Sequence, residues 1–115
     1  MSFKIDKLDY YTYIKIESEK LDYHIAPSLK SELVLLAGNG EKNIVLDVER
    51  CVYCDSSGLS SILVANRLCK NANGSFILCN MKPAIERLVT VSQLDSILNI
   101  VDKIEDAEEI IKTKQ

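Results

Sequence analysis

Apolar and polar positions change their spacing from block to block along the chain, and each spacing predicts one kind of element. Residues 3–18 alternate loosely with a period of two, which indicates two short antiparallel strands joined near Asp9 and Tyr10. The run Ile44–Val48 is short, rich in β-branched residues and bounded by polar residues. Such a run is typical of a central strand that is buried on both faces.

The rest of the chain places apolar residues at helical spacing between further short apolar runs. Pro27 suits the first turn of the first helix, and Asn80 is a candidate cap for the third. Helices are predicted over 28–37, 57–71, 83–89 and 104–112, and further strands over 75–79 and 94–101. After the hairpin, helices and strands alternate. This order predicts parallel strands with right-handed crossovers, and the hairpin supplies an antiparallel edge.

Length and charge narrow the class of protein. The chain has 115 residues, and we expect a single domain over residues 1–115. Its 47% hydrophobic and 27% charged residues are an ordinary balance for a soluble globular domain. A formal net charge of -3 argues against nucleic acid or an anionic membrane as a main partner, because both attract basic surfaces. The first residues lack the apolar stretch of a signal peptide, and no apolar run reaches about 20 residues, so we expect a cytoplasmic protein.

Two of the four cysteines, Cys51 and Cys54, have the C-x-x-C spacing. A thioredoxin-like redox site would place this motif at the start of a helix, and here it comes a few residues early. A zinc site needs two more ligands, and Cys69, Cys79 and His24 form no second close pair. The favoured interpretation is therefore small apolar side chains around a buried strand, with no metal or cofactor.

The segment Cys54–Leu59 lies between the predicted central strand and the second helix. Ser56 and Ser57 thus fall at a helix N-terminus, where the first backbone N–H groups have no partner and the helix dipole is positive. A serine there either caps the helix or carries a phosphate that the helix end tolerates. Asp55 is equally suited to be the cap or to contact a partner, and Gly58 permits the backbone to come close to a partner or to the neighbouring strand.

These segments resemble the STAS domain family, and within it the bacterial anti-sigma factor antagonists, also called anti-anti-sigma factors. Asn43–Val48 resembles the central strand of the family, and Asp55–Leu59, which reads D-S-S-G-L, resembles its signature loop. Lys20-Leu21-Asp22 is similar to the turn ahead of the first helix, and Pro83–Leu88 followed by Leu94 is similar to the third helix and its sequel. The similarity covers nearly the whole chain.

The resemblance implies an α/β fold, a single STAS-like domain. It would have a mixed central sheet of four to five strands, an N-terminal antiparallel hairpin and four helices packed mainly on one side. The family often has glycine where this chain has Glu19 and Gln93, so we expect the turns at these two positions to differ locally.

The resemblance also implies regulation by partner switching, with no catalysis by this chain. An anti-sigma factor that is itself a serine kinase holds a sigma factor silent, and the unphosphorylated antagonist binds that kinase and frees the sigma factor. The kinase then phosphorylates the first serine after the aspartate, which is Ser56 here, and the pair separates until a serine phosphatase resets it. The partner-binding residues that match the family are Asp22, Asp55, Ser56, Ser57, Gly58 and Leu59.

Two other functions stay open at this point. One is a STAS scaffold that binds proteins or a small ligand without phosphorylation, and the other is a thiol or metal enzyme built on Cys51 and Cys54. Against catalysis, the sequence suggests no pair of base and nucleophile, and His24 is expected at the surface or in an interface. Asp47, near the end of the central strand, is expected to accept hydrogen bonds from loops.

Overall fold

Seven strands and four helices follow one another in the computed structural model, which describes residues 2–114. Met1 and Gln115, the end residues of the predicted domain 1–115, lie outside the described residues. The strands are β1 (Phe3–Lys7), β2 (Thr12–Ile16), β3 (Lys20–Leu21), β4 (Ile44–Asp47), β5 (Tyr53–Cys54), β6 (Phe76–Cys79) and β7 (Asn99–Val101). The helices are α1 (Ala26–Gly38), α2 (Ser56–Asn71), α3 (Pro83–Val91) and α4 (Ile104–Lys114).

Five of the strands form one mixed sheet in the order β1-β2-β4-β6-β7. β1 and β2 pair antiparallel, with Phe3 opposite Ile16, and every other neighbouring pair in this sheet is parallel. The predicted sheet and its N-terminal hairpin are therefore confirmed. All four residues of β4 are buried, as the continuous apolar run predicted.

The two faces of the sheet carry different numbers of helices. Ile44 and Leu46 of β4 face the larger core, and Val45 between them faces the smaller one, because side chains alternate along a strand. The larger core takes residues from three helices: Leu29 and Leu33 of α1, Ile62 and Ala65 of α2, and Ile85 and Val89 of α3. The smaller core takes Ala107 and Ile111 of α4. Packing of the helices mainly on one side is confirmed.

The N-cap predicted for the third helix and the start predicted for the last strand are wrong, although both elements are present. Lys82, not Asn80, is the N-cap of α3, and Asn80 has a left-handed backbone with φ 60°. Its side-chain amide donates to Asp47 Oδ2 at 3.0 Å. Asn80, the residue after β6, therefore connects the end of β6 to the end of β4 and does not start a helix. β7 begins only at Asn99, because Leu94–Ser96 form a single 3-10 turn.

The helices can also be compared with the length and apolar character that a membrane span requires. None of the helices within residues 2–114 is both long and apolar enough to cross a membrane.

Candidate functional site

A small two-stranded sheet brings the turn before α1 next to the loop before α2. β3 pairs in parallel with β5, with Lys20 opposite Tyr53 and Leu21 opposite Cys54. The Asp55 N–H extends this pairing by donating to the Leu21 carbonyl at 3.3 Å. Two-residue strands have no readable periodicity, so the sequence did not predict them.

The Asp55 carboxylate joins the two segments and decides which residue caps α2. Its Oδ1 accepts from the Gly58 N–H at 2.9 Å, and its Oδ2 accepts from the Tyr23 N–H at 3.1 Å. Asp55 is thus the N-cap, and neither serine has that task. The same carboxylate fixes the loop ahead of α1 against the start of α2.

Ser56 and Ser57 occupy the first two positions of α2. Ser56 is exposed and Ser57 is half-buried. The next two N–H groups of the helix are taken by Asp55, since Gly58 N–H reaches its side chain and Leu59 N–H reaches its carbonyl at 3.0 Å. The Ser56 hydroxyl is consequently free of the capping role and open to solvent.

Gly58 lies where the helix start touches β3. A Cβ at this position would meet the Leu21 carbonyl oxygen at 2.1 Å and Cys54 Sγ at 2.7 Å, so only glycine fits without a shift. Leu59, the next residue, is half-buried and packs against the larger core. The close approach predicted for Gly58 is therefore to the neighbouring strand.

Asp22 organises the turn between β3 and α1 and is only 7% exposed. Its Oδ1 accepts from the His24 N–H at 3.1 Å, and its carbonyl oxygen accepts from Ile25 and Ala26 at the start of α1. The His24 ring, 71% exposed, lies with Nδ1 3.5 Å from Asp22 Oδ2. Asp22 lies beside the Ser56 loop, because its neighbour Tyr23 is held by Asp55.

Asp47 holds loops at the end of β4, as the sequence predicted. The buried carboxylate accepts from the Glu49 N–H at 2.9 Å, from Asn80 and from the Tyr13 hydroxyl. Burial and the contact with Asp47 raise the pKa of Tyr13 above its usual range, so this hydroxyl remains a donor. Loops after β4 and β6 are fixed together in this way.

The C-x-x-C pair is buried beneath the loop. Burial raises the pKa of Cys51 to about 11 and that of Cys54 to about 12, which disfavours the reactive thiolate. Residues 2–114 contain no group of three or more His, Cys, Asp or Glu side chains placed to hold a metal ion. The geometry favours the packing role for both cysteines.

Three apolar side chains beside Ser56 are exposed, and the sequence did not single them out. Tyr23 is 63% exposed, Tyr53 is 50% exposed and Val52 is 48% exposed. Tyrosine and valine are both enriched in strands, so their identity alone did not mark these positions as exposed, and only the burial pattern does.

Comparison with known proteins gives the class of this chain. The STAS domain family matches residues 4–107. BtrV of Bordetella bronchiseptica, whose name assigns it provisionally as an anti-sigma factor antagonist, is 31% identical over 88 residues, which are 76% of each chain. The anti-sigma F factor antagonist of Paenibacillus polymyxa is 29% identical over 86 residues, 74% of each chain. The chain belongs to the STAS domain family, and its curated relatives place it among the anti-sigma factor antagonists.

Solved structures agree at the level of the fold. SpoIIAA in its unphosphorylated form superposes with a TM-score of 0.77 at 20% identity, covering 96% of this chain and 97% of SpoIIAA. SpoIIAA in its phosphorylated form gives a TM-score of 0.75 at 21% identity, covering 94% of this chain and 98% of SpoIIAA. The single STAS-fold domain expected from the sequence is confirmed.

Proposed function

We propose that this chain binds an anti-sigma factor that is a serine kinase, frees a sigma factor, and is switched off by phosphorylation of Ser56. The observation that carries the proposal is the position of Ser56, an exposed hydroxyl at the first position of a helix that Asp55 already caps. Support also comes from the curated anti-sigma factor antagonists it resembles. A serine phosphatase would restore the binding form in the cytoplasm.

The fold is expected to tolerate a phosphate at Ser56. Phosphorylation adds about -1.5 to -2 charges at pH 7. The positive end of the helix dipole stabilises an anion there by about 0.3–1 kcal/mol, and the exposed side chain keeps the phosphate hydrated. The modification would therefore leave the free protein folded, and its effect would be felt at an interface.

The phosphate opposes binding once a partner docks on this surface. A doubly charged group pressed against a partner loses hydration and lies next to the Asp55 carboxylate, which carries the same sign. Disruption of a close polar contact in an interface costs about 2–5 kcal/mol. At about 1.4 kcal/mol per tenfold, this is enough to move the pair from bound to free.

Phosphate mapping tests the proposal. The chain is incubated with ATP and a candidate anti-sigma serine kinase, and the phosphate is located by mass spectrometry. We expect one phosphate on Ser56, its loss in Ser56→Ala and its retention in the matched control Ser57→Ala. A stable complex in which Ser56 stays unmodified would instead favour a STAS scaffold without phosphorylation.

A further inference from the structure

The two aspartates beside Ser56 are committed to the chain itself. Both Asp55 oxygens already accept backbone N–H groups, one from α2 and one from Tyr23. Asp22 is nearly buried and its carboxylate accepts from the His24 backbone. These carboxylates hold the chain's own turns in place, so a partner that drew either one away would break those hydrogen bonds. Other exposed side chains are therefore the better source of binding energy at this surface.

The exposed apolar side chains near Ser56 are candidates for that energy. We name the cluster of Tyr23, Val52 and Tyr53 the aromatic anchor, after its two tyrosines. Exposed tyrosines are enriched among the residues that dominate protein interfaces, because they bury a large area with few rotatable bonds. The β3–β5 pairing holds Tyr53, and the Val52 N–H donates to the Glu19 carbonyl at 2.8 Å. The Tyr23 N–H donates to Asp55. The backbone of the anchor is thus pre-organised.

The anchor lies close enough to Ser56 for one partner to contact both. Tyr53 is three residues from Ser56, so their Cα atoms are at most roughly 11 Å apart. The Tyr23 N–H is hydrogen-bonded to Asp55, the residue next to Ser56. A standard interface buries about 800 Å² on each partner, a patch of roughly 16 Å radius. The acceptor serine and the anchor therefore fall within one footprint.

We propose that the aromatic anchor docks into an apolar recess of the same serine kinase that modifies Ser56, and supplies most of the affinity, while Ser56 supplies the switch. This inference rests on the proposed function. The anchor sets which kinase binds, because a recess must accept two tyrosines and a valine around the acceptor loop. Asp22 and Asp55 fix the backbone of the Ser56 loop and of the turn before α1 for that contact.

Alanine substitution with a matched control tests the inference. The affinity of the unphosphorylated chain for the anti-sigma kinase is measured by isothermal titration calorimetry for wild type, Tyr23→Ala, Tyr53→Ala and Tyr10→Ala. Tyr10 is 52% exposed, close to the 50% of Tyr53, but lies in the hairpin turn between β1 and β2. We expect Tyr23→Ala and Tyr53→Ala to weaken binding about tenfold or more each, and Tyr10→Ala to bind as wild type. Phosphorylation of the two anchor variants should be impaired through KM.

Several results would overturn the inference, and they separate it from the proposed function. If Ser56 is phosphorylated normally and both anchor variants bind as wild type, the anchor is wrong and the proposed function stands. If the kinase does not bind the wild-type chain, both are wrong. If the chain alone forms a dimer in analytical ultracentrifugation that Tyr53→Ala dissociates, the surface serves a second copy of this chain. Circular dichroism of each variant confirms that lost binding is not lost folding.

Discussion

Three neighbouring residues divide the tasks at the start of α2. Asp55 caps the helix and holds Tyr23, Ser56 presents a free hydroxyl, and Gly58 allows β3 to approach the helix backbone. A cap on Ser56 itself would have tied up the hydroxyl that the proposed kinase modifies. The order of residues in D-S-S-G therefore separates the residue that caps the helix from the proposed phosphate acceptor.

Removal of the cap should cost stability where removal of the serine does not. We expect Asp55→Ala to lower the free energy of unfolding by about 2 kcal/mol, since the helix loses its cap and Tyr23 its acceptor. Ser56→Ala should change it by no more than about 0.5 kcal/mol, because the side chain is exposed. Urea denaturation followed by circular dichroism measures both. Equal losses in the two variants would contradict the assignment of the cap.

A methyl group at Gly58 should also lower stability, through overpacking rather than through loss of a cap. Gly58→Ala places a Cβ 2.1 Å from the Leu21 carbonyl oxygen, and the forced shift should lower stability by about 1–3 kcal/mol. Gly38→Ala is the matched control, because a Cβ added at Gly38, the last residue of α1, would meet no atom within 4 Å. It should be neutral or stabilising by up to about 1 kcal/mol. A Gly58→Ala protein as stable as wild type would contradict the close approach.

At the scale of elements, the turn after α3 has an unusual backbone conformation at Gln93, where the family often has glycine. Gln93 lies between α3 and the 3-10 turn and has φ 61° and ψ 20°. These angles fall in the left-handed region, which glycine adopts most readily. A side chain there is strained, because Cβ crowds the carbonyl oxygen. The turn thus places a side chain at a position whose backbone conformation favours glycine.

Relief of this strain should stabilise the protein. We expect Gln93→Gly to raise stability by about 1 kcal/mol, a Tm increase of about 4 °C. Ser92→Gly is the control, because Ser92 has φ -79° in the right-handed region and gains nothing from glycine. Differential scanning calorimetry of both variants measures the change. A lower Tm for Gln93→Gly than for wild type would contradict the strained turn.

Elements marked by an apolar run or a helical period could be predicted from sequence, and two-residue strands could not. The central strand and α2 were predicted within one residue at their starts, because apolar runs and turn residues bound them. Strands β3 and β5 escaped prediction, since two residues paired far apart in sequence leave no local pattern. Val34 belongs to the apolar positions of α1 and is nevertheless 58% exposed, because apolar spacing does not fix the width of the buried stripe.

For the whole molecule, the sequence predicted the sheet and the helices but not how the site would be built. Placement of α4 alone on the second face depends on the direction in which the chain leaves the edge strand β7, which no hydrophobic period encodes. The Ser56 loop was recognised by its motif, whereas the contact between Asp55 and Tyr23 spans 32 residues. Contacts of that separation are decided by the tertiary fold.

The central claim is that phosphate on Ser56 separates this chain from its kinase. Its most direct test is isothermal titration calorimetry of the anti-sigma kinase with the unphosphorylated chain and with the chain phosphorylated on Ser56. We predict that the phosphorylated chain binds about a hundredfold more weakly, because a hydrated double charge would have to enter the interface beside Asp55. Equal affinities for the two forms would contradict the account.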